Sequence, residues 1–265
     1  MNELDIADGT IAYLKIDGDP ALPHLVFLHE GLGCTAMWGD FPQRLCEASG
    51  CPGLVYDRLG YGRSSALPPP WSADYLHTAA TRDLPQVVDS LLPAEASLIV
   101  FGHSDGGSIA LIYGAIRPER LLGIVTEAAH VFVEEVTLAA IRDAVAAYEA
   151  GKLANLTRYH GAKTEQVFRG WSDTWLDPRF ATWNIEALLP RIEVPLLAMQ
   201  GELDRYGTAL QLQSIAGQTA GSARAALLPG CGHTPHKECP EAVLSVTVDF
   251  IRSATKGTPL DRRAV

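Results

Sequence analysis

The sequence predicts an α/β protein with a mostly parallel, eight-stranded sheet and helices on both faces. Three observations carry that expectation. Apolar runs of four to six residues recur at 25–28, 53–56, 97–101, 121–126 and 195–200, the pattern of strands buried on both faces. Segments of helical periodicity separate them, and alternation of this kind produces parallel strand pairs joined by helical crossovers. Ligands and reactive groups gather beyond the carboxyl ends of the strands in such sheets. The chain's Gly-rich segments bearing Ser, His, Asp and Glu follow these runs.

The elements read in order as follows. Residues 4–6 and 11–16 alternate as a hairpin turned at Asp8-Gly9, and Asp17-Gly18-Asp19-Pro20 is a turn. The strand at 25–28 ends in His29-Glu30-Gly31-Leu32-Gly33. A helix is expected over 40–48 with Asp40 as its N-cap. The strand at 53–56 runs into Asp57-Arg58-Leu59-Gly60-Tyr61-Gly62-Arg63-Ser64, a loop punctuated by glycine. Pro68-Pro69-Pro70 stiffens the approach to a helix near 72–91. The strand at 97–101 leads through a tight turn into a helix at 108–113, and the strand at 121–126 ends near Glu127. Alternation then stops. Residues 131–189 are mostly helical in pattern, most clearly over 138–150, and hold Trp171, Trp175 and Trp183. They are expected to form a helical cap inserted into a core of 1–130 and 190–254. Strands at 195–200 and 224–228 and helices at 209–216 and 240–252 close the core. Residues 255–265 are expected to fray as a tail.

Composition narrows the function classes. A chain of 265 residues accommodates one α/β domain with an insertion, and 47% hydrophobic with 20% charged residues suits a sizeable core. A net charge of −10 argues against nucleic acid and anionic membrane surfaces as partners. The start, Met1-Asn2-Glu3-Leu4-Asp5, is acidic and lacks the apolar stretch of a signal peptide. No apolar run approaches the ~20 residues of a membrane span. Cys34, Cys46, Cys51, Cys231 and Cys239 are odd in number and form no Cys-x-x-Cys, so they read as reduced thiols of a cytoplasmic protein. No His, Asp and Cys set has metal-ligand spacing. Gly31 and Gly33 are followed by Ala36 rather than a third glycine, which excludes the dinucleotide fingerprint. No cofactor and no metal are expected.

The chemistry centres on Gly102-His103-Ser104-Asp105-Gly106. Between a strand and a helix, Gly-x-Ser-x-Gly lifts a serine hydroxyl onto a sharp turn above the sheet. A serine needs an adjacent base, and the base needs an orienting carboxylate. The last strand is followed by Gly230-Cys231-Gly232-His233, which offers His233 as base, with His236 as its rival. The strand at 195–200 is followed by Gly201-Glu202-Leu203-Asp204, which offers Asp204 as acid, with Glu202 as its rival. His29 and His103 flank the site as motif positions.

With the order Ser104, Asp204, His233, the chain resembles the α/β-hydrolase superfamily from about residue 11 to 252. The resemblance rests on residues 29–33, on Asp57-Arg58 with Gly60, Gly62 and Ser64, on residues 102–106 and 201–204, and on Gly232-His233. It implies an α/β-hydrolase fold and a carboxylesterase-like serine hydrolase working on a small-molecule ester or acyl substrate. It further implies an oxyanion hole from the backbone N–H of Asp105 and that of Gly31 or Leu32. Carbon–carbon hydrolases, lactonases, thioesterases, amide hydrolases and cofactor-free oxygenases share the pattern, as does a ligand-sensing protein without turnover. The family usually has Gly where this chain has Glu30. Glu30 is therefore expected to pair with a base such as Arg58 or to read the substrate. Glu127, His130, Trp171, Trp175 and Trp183 are further pocket candidates, and an acidic group of Glu30, Asp105 and Glu127 would favour cationic substrates.

Overall fold

A computed structural model describes residues 1–116 and 118–257. Its eight strands are β1 (Asn2–Ile6), β2 (Gly9–Ile16), β3 (His24–Leu28), β4 (Gly53–Tyr56), β5 (Leu98–His103), β6 (Leu121–Glu127), β7 (Leu196–Gly201) and β8 (Ala223–Leu228). They form one sheet in the order β1-β2-β4-β3-β5-β6-β7-β8. The β1–β2 and β2–β4 pairs are antiparallel and the other pairs parallel. This is the α/β-hydrolase fold expected from the residues.

The pleat explains why the central strands read as unbroken apolar runs. Successive side chains point to opposite faces, and here both faces are covered. Val26 and Leu28, Leu98 and Val100, and Leu196 and Ala198 join one hydrophobic layer. Leu25 and Phe27, Ile99 and Phe101, and Leu197 and Met199 join the other. The second layer is closed by α1 (Phe41–Ser49) and the final helix through Phe41, Leu45, Val243 and Phe250. On the first lies α4 (Asp105–Ala115), every residue of which is buried. A helix buried all round has no amphipathic stripe, so its length was hard to read from periodicity.

Three local expectations are corrected. Asp40 occupies the position before α1, but its side chain makes no capping hydrogen bond. The helix near 72–91 starts at Tyr75 and is broken in pitch: α2 (Tyr75–Thr78), a π turn (Ala79–Asp83), then α3 (Leu84–Leu91). Pro85 has no N–H to give the carbonyl four residues back, which accounts for the wider turn before it. Cys231 and Cys239 form a disulfide, while Cys34, Cys46 and Cys51 are buried free thiols. Scattered spacing hid the pair, because the loop after β8 folds back onto the start of the last helix. With a disulfide among them, the five cysteines no longer point to a reducing compartment.

Between β6 and β7 come α5 (Glu135–Glu149), α6 (Thr157–His160), α7 (Thr164–Leu176) and a 3-10 turn (Glu186–Arg191). After β7 come α8 (Ala209–Gln218), capped by the Thr208 hydroxyl, then β8, α9 (Pro235–Glu238) and α10 (Pro240–Thr255). Of the tail expected to fray, Thr255 closes α10, and residues 258–265 lie outside the described residues. No helix among the described residues is long and apolar enough to cross a membrane.

Candidate active site

The turn from β5 into α4 holds Ser104 at φ 53°, ψ −116°. A residue with a Cβ adopts a positive φ only where its surroundings hold it there. Here the Ser104 N–H donates to the Glu127 carbonyl at 2.9 Å, and Ser108 N–H returns to the Ser104 carbonyl at 3.0 Å. The flanking glycines permit the close approach. A Cβ on Gly102 would lie 2.2 Å from the Gly106 carbonyl oxygen, and one on Gly106 would lie 2.0 Å from that of Leu28.

Three strand ends meet at this turn. His233, after β8, places Nε2 3.1 Å from Ser104 Oγ. Its Nδ1 lies 2.8 and 2.9 Å from the two oxygens of Asp204, after β7. The Asp204 carboxylate also accepts the Tyr206 N–H at 2.8 Å and a hydrogen bond from the Gln200 amide. Burial pushes the Asp204 carboxyl up, but its pairing with His233 and the Tyr206 N–H outweigh this and hold it below the usual range. The rivals fall elsewhere. Glu202 accepts a backbone N–H from Gly230, and His236 bonds Glu127.

The loop after β3 is clamped at the Glu30 carbonyl. It accepts hydrogen bonds from the Arg58 guanidinium at 2.9 Å, His29 Nδ1 at 2.8 Å and Gly33 N–H at 3.1 Å. His29 Nε2 accepts the Arg58 N–H at 3.0 Å, which fixes its tautomer. Burial, followed by the Arg58 charge, drives the His29 pKa far down. Asp57 holds the neighbouring turn, accepting N–H groups from Thr35 and Arg63 at 2.6 and 2.7 Å. From the helices between β6 and β7, His160 Nε2 reaches the Leu32 carbonyl at 2.9 Å while Nδ1 accepts the Gly62 N–H at 3.0 Å. The Asp57–Ser64 motif thus serves as the frame of the loop bearing Gly31.

Arg58 does not pair with the Glu30 carboxylate as expected. Its side-chain ion pair is to Asp105, at 3.7 Å. The Glu30 carboxylate sits 3.8 Å from His103 Nδ1. Asp105 also accepts the Tyr75 hydroxyl at 2.6 Å, and that hydroxyl accepts the Trp175 indole N–H at 2.9 Å. Its side chain therefore ties the nucleophile turn to α2 and α7.

A cavity of about 250 Å³ opens at Ser104. Glu30, His130, Trp171 and Trp175 line it, with apolar walls from Met37, Ile141, Leu153 and Leu156. Two pocket candidates lie elsewhere. Trp183 stacks behind the wall, its ring 5.4 Å from Phe180 and 5.9 Å from Trp175. Glu127 is fully buried and bonded to His236. It follows Val125 by two residues, so the strand period sends it to the sheet face of Phe101 and Met199, where His236 meets it below the cavity rim. That signal was available in the sequence. The acidic group of Glu30, Asp105 and Glu127 is accordingly split, and each carboxylate has a cationic or hydrogen-bonding partner.

Several contributors carried no sequence signal. Tyr206 covers His233, with ring centroids 4.6 Å apart. Glu238 accepts the N–H groups of Gly232 and Thr234 on either side of His233, at 2.7 and 2.9 Å. His103, Glu127 and His236, residue types that also ligate metals, come together from three segments. Their spacing in sequence conceals this. One Glu127 oxygen is bonded to His236, and the other has no hydrogen-bond partner.

Comparison with known proteins bears on this geometry. A family model described as the alpha/beta hydrolase family matches residues 25–246. The chain is 25% identical over 276 residues to a 2-succinyl-6-hydroxy-2,4-cyclohexadiene-1-carboxylate synthase of Enterobacter sp. (strain 638), covering 91% of this chain and 96% of that one. It is 27% identical over 277 residues to the monoglyceride lipase of Homo sapiens, covering 93% and 88%. A match to the sn-1-specific diacylglycerol lipase ABHD11 of Mus musculus, 28% over 115 residues, spans 43% of this chain and only 35% of that protein. Among solved structures, MGS-M2, an alpha/beta hydrolase from a deep-sea metagenome library, superposes with a TM-score of 0.76 at 18% identity, over 98% and 99% of the two chains.

Proposed function

The chain belongs to the alpha/beta hydrolase family, and on that premise we propose that it is a serine hydrolase that cleaves a small carboxylic ester through an acyl-enzyme. The observation that carries the reading is the unbroken chain of contacts from Asp204 through His233 to Ser104, at the mouth of an apolar cavity. Asp204 accepts the Nδ1–H of His233, which leaves Nε2 free to take the Ser104 proton. The alkoxide attacks the ester carbonyl. The developing oxyanion is met by the N–H of Asp105 and that of Gly31 or Leu32. His233, now an imidazolium, gives its proton to the leaving alcohol. Water enters and gives a proton to His233 as its oxygen attacks the acyl carbon. The second tetrahedral intermediate then breaks its bond to Ser104 Oγ, which takes the proton from His233 as the acid leaves.

Cavity size supports a small substrate. At about 250 Å³ it lies below the roughly 300–1,000 Å³ typical of ligand pockets, and its walls are mainly hydrocarbon and indole. A short acyl group suits it better than a fatty chain. p-Nitrophenyl acetate and butyrate should be hydrolysed, and Ser104→Ala should abolish that turnover. Retention of most esterase activity by Ser104→Ala would reject the reading.

A second reading is carbon–carbon bond chemistry on the same three residues. It is favoured by the near full-length likeness to an enzyme named for a cyclohexadiene carboxylate. Dienoate diketones and lactones, assayed beside the esters, separate the two. Tight binding of these compounds without turnover would instead indicate a ligand-sensing protein.

A further inference from the structure

Behind the base lies a buried group of charges that the ester mechanism leaves unused. His103, the residue before the nucleophile, is 1% exposed. Its Nε2 lies 2.8 Å from the backbone carbonyl oxygen of His233. Its Nδ1 has no hydrogen-bond partner within normal reach and faces Glu30 Oε2 at 3.8 Å. Glu127, at the end of β6, stands on the same face, with one carboxylate oxygen bonded to His236 and the other unpartnered. Titratable groups face His103 from four segments: Glu30 after β3, Glu127 on β6, His233 after β8 and His236 on α9, while the Trp38 ring packs on it without charge. Lys237 adds positive charge toward Glu30.

We propose that His103 is a positioning residue for the base. Held as an imidazolium between Glu30 and Glu127, it donates Nε2–H to the His233 carbonyl and fixes the loop that aims His233 at Ser104. The assignment rests on the serine-hydrolase reading above. Only a donor at Nε2 makes the 2.8 Å contact to a carbonyl favourable. Two carboxylates beside a buried ring favour its cationic form over a neutral ring, whose Nδ1 lone pair would face Glu30. Burial lowers the His103 pKa, but the pairing with Glu30 and the charge of Glu127 outweigh it and leave it raised. Glu30, pushed up by burial, ends below the usual carboxylate range through the same pairing.

A consequence follows for pH. Neutral imidazole carries one N–H and serves one acceptor. Loss of the second proton takes it from Nδ1, which has no hydrogen-bond partner, and leaves the other on the 2.8 Å contact to the His233 carbonyl. That contact then lacks its charge, and Glu30 and Glu127 lose the cation set between them, so the loop bearing His233 is held less firmly. Turnover falls as pH rises through this titration.

The test compares wild type, His103→Gln and His103→Leu. Each is assayed for kcat and KM on p-nitrophenyl acetate across pH, and the histidine rings are followed by 15N NMR without substrate. His103→Leu should lose about ten- to a hundredfold in kcat, the worth of one charge-assisted hydrogen bond, with KM little changed. His103→Gln keeps a neutral donor near Nε2. It should recover part of that loss and lack the alkaline fall. In wild type both His103 nitrogens should remain protonated where free histidine is neutral. Wild-type kcat and pH profile in folded His103→Leu would overturn the proposal. So would equal losses in folded Gln and Leu variants, a singly protonated His103 ring, or a stoichiometric divalent ion in the purified protein. Esterase activity independent of Ser104 would instead reject the serine-hydrolase reading, while the NMR result still reports on His103 itself.

Discussion

The ring of Tyr206 covers the imidazole of His233 at 4.6 Å between centroids, while the Tyr206 backbone N–H donates to the carboxylate that orients that imidazole. One residue thus restrains both partners of the Asp204–His233 pair. Tyr206→Ala keeps the backbone bond but removes the ring. It should lower kcat about tenfold by freeing the imidazole to leave its near-attack position, and Tyr206→Phe should restore it. Equal kcat for the Ala variant and wild type on p-nitrophenyl acetate would show that Asp204 alone holds the base.

The nucleophile and acid make the sharpest pair of tests. Ser104→Ala should lower kcat by about a millionfold and abolish labelling by a fluorophosphonate probe. Asp204→Asn should lower it by roughly ten-thousandfold, since an amide no longer selects the His233 tautomer with a free Nε2. Robust labelling of the Ser104→Ala variant would place the nucleophile elsewhere.

The chain Trp175 to Tyr75 to Asp105 joins the helices after β6 to the nucleophile turn. Tyr75→Phe deletes the middle hydroxyl and leaves a buried indole N–H and a buried carboxylate without that partner. The cost should be about 2–4 kcal/mol of stability, measured by urea unfolding. A loss below about 0.5 kcal/mol would mean that the two groups find other partners.

Cys231 and Cys239 flank His233 and are joined across a loop. By chain entropy, Cys239→Ser should cost about 2–3 kcal/mol. Because Glu238 also holds the N–H groups beside His233, kcat should drop only a few-fold. Thiol titration of the unreduced protein in denaturant should find three free cysteines, Cys34, Cys46 and Cys51, all buried in the fold. Five would contradict the pairing.

Acid should weaken the fold through its neutral histidines. His29, His130 and His160 all have lowered pKa values, with burial the largest cause in each. On unfolding they recover the ordinary value of about 6.5 and bind protons that the folded chain refuses. Their stabilisation is full above that pH and declines as pH falls below it. His103 runs the other way. Its raised value gives stability at low pH that is lost as pH rises through the folded-state titration. His24 is lowered as well, burial first, and the His103 contribution is already full below about pH 6.5, so the urea midpoint should fall between about pH 6.5 and 5. His160→Gln should flatten that slope, and an unchanged slope would remove His160 from the account.

Local sequence determined the strands, because a run buried on both faces must be apolar throughout, as in Leu98–Phe101. It also determined Ser104, Asp204 and His233 as candidates, because each follows a strand end in a glycine-marked turn. Even the burial of Glu127 was legible, since a period of two puts it on the face of Val125, which packs in the layer with Phe101 and Met199. What only the tertiary structure decided were relations between segments far apart in the chain: Tyr206 over His233, Tyr75 on Asp105, Cys231 with Cys239, and His103 against the His233 carbonyl. None of these leaves a periodic trace. Side-chain contact depends on which loops the sheet order β3-β5-β6-β7-β8 brings to one rim, and spacing along the chain does not encode that order.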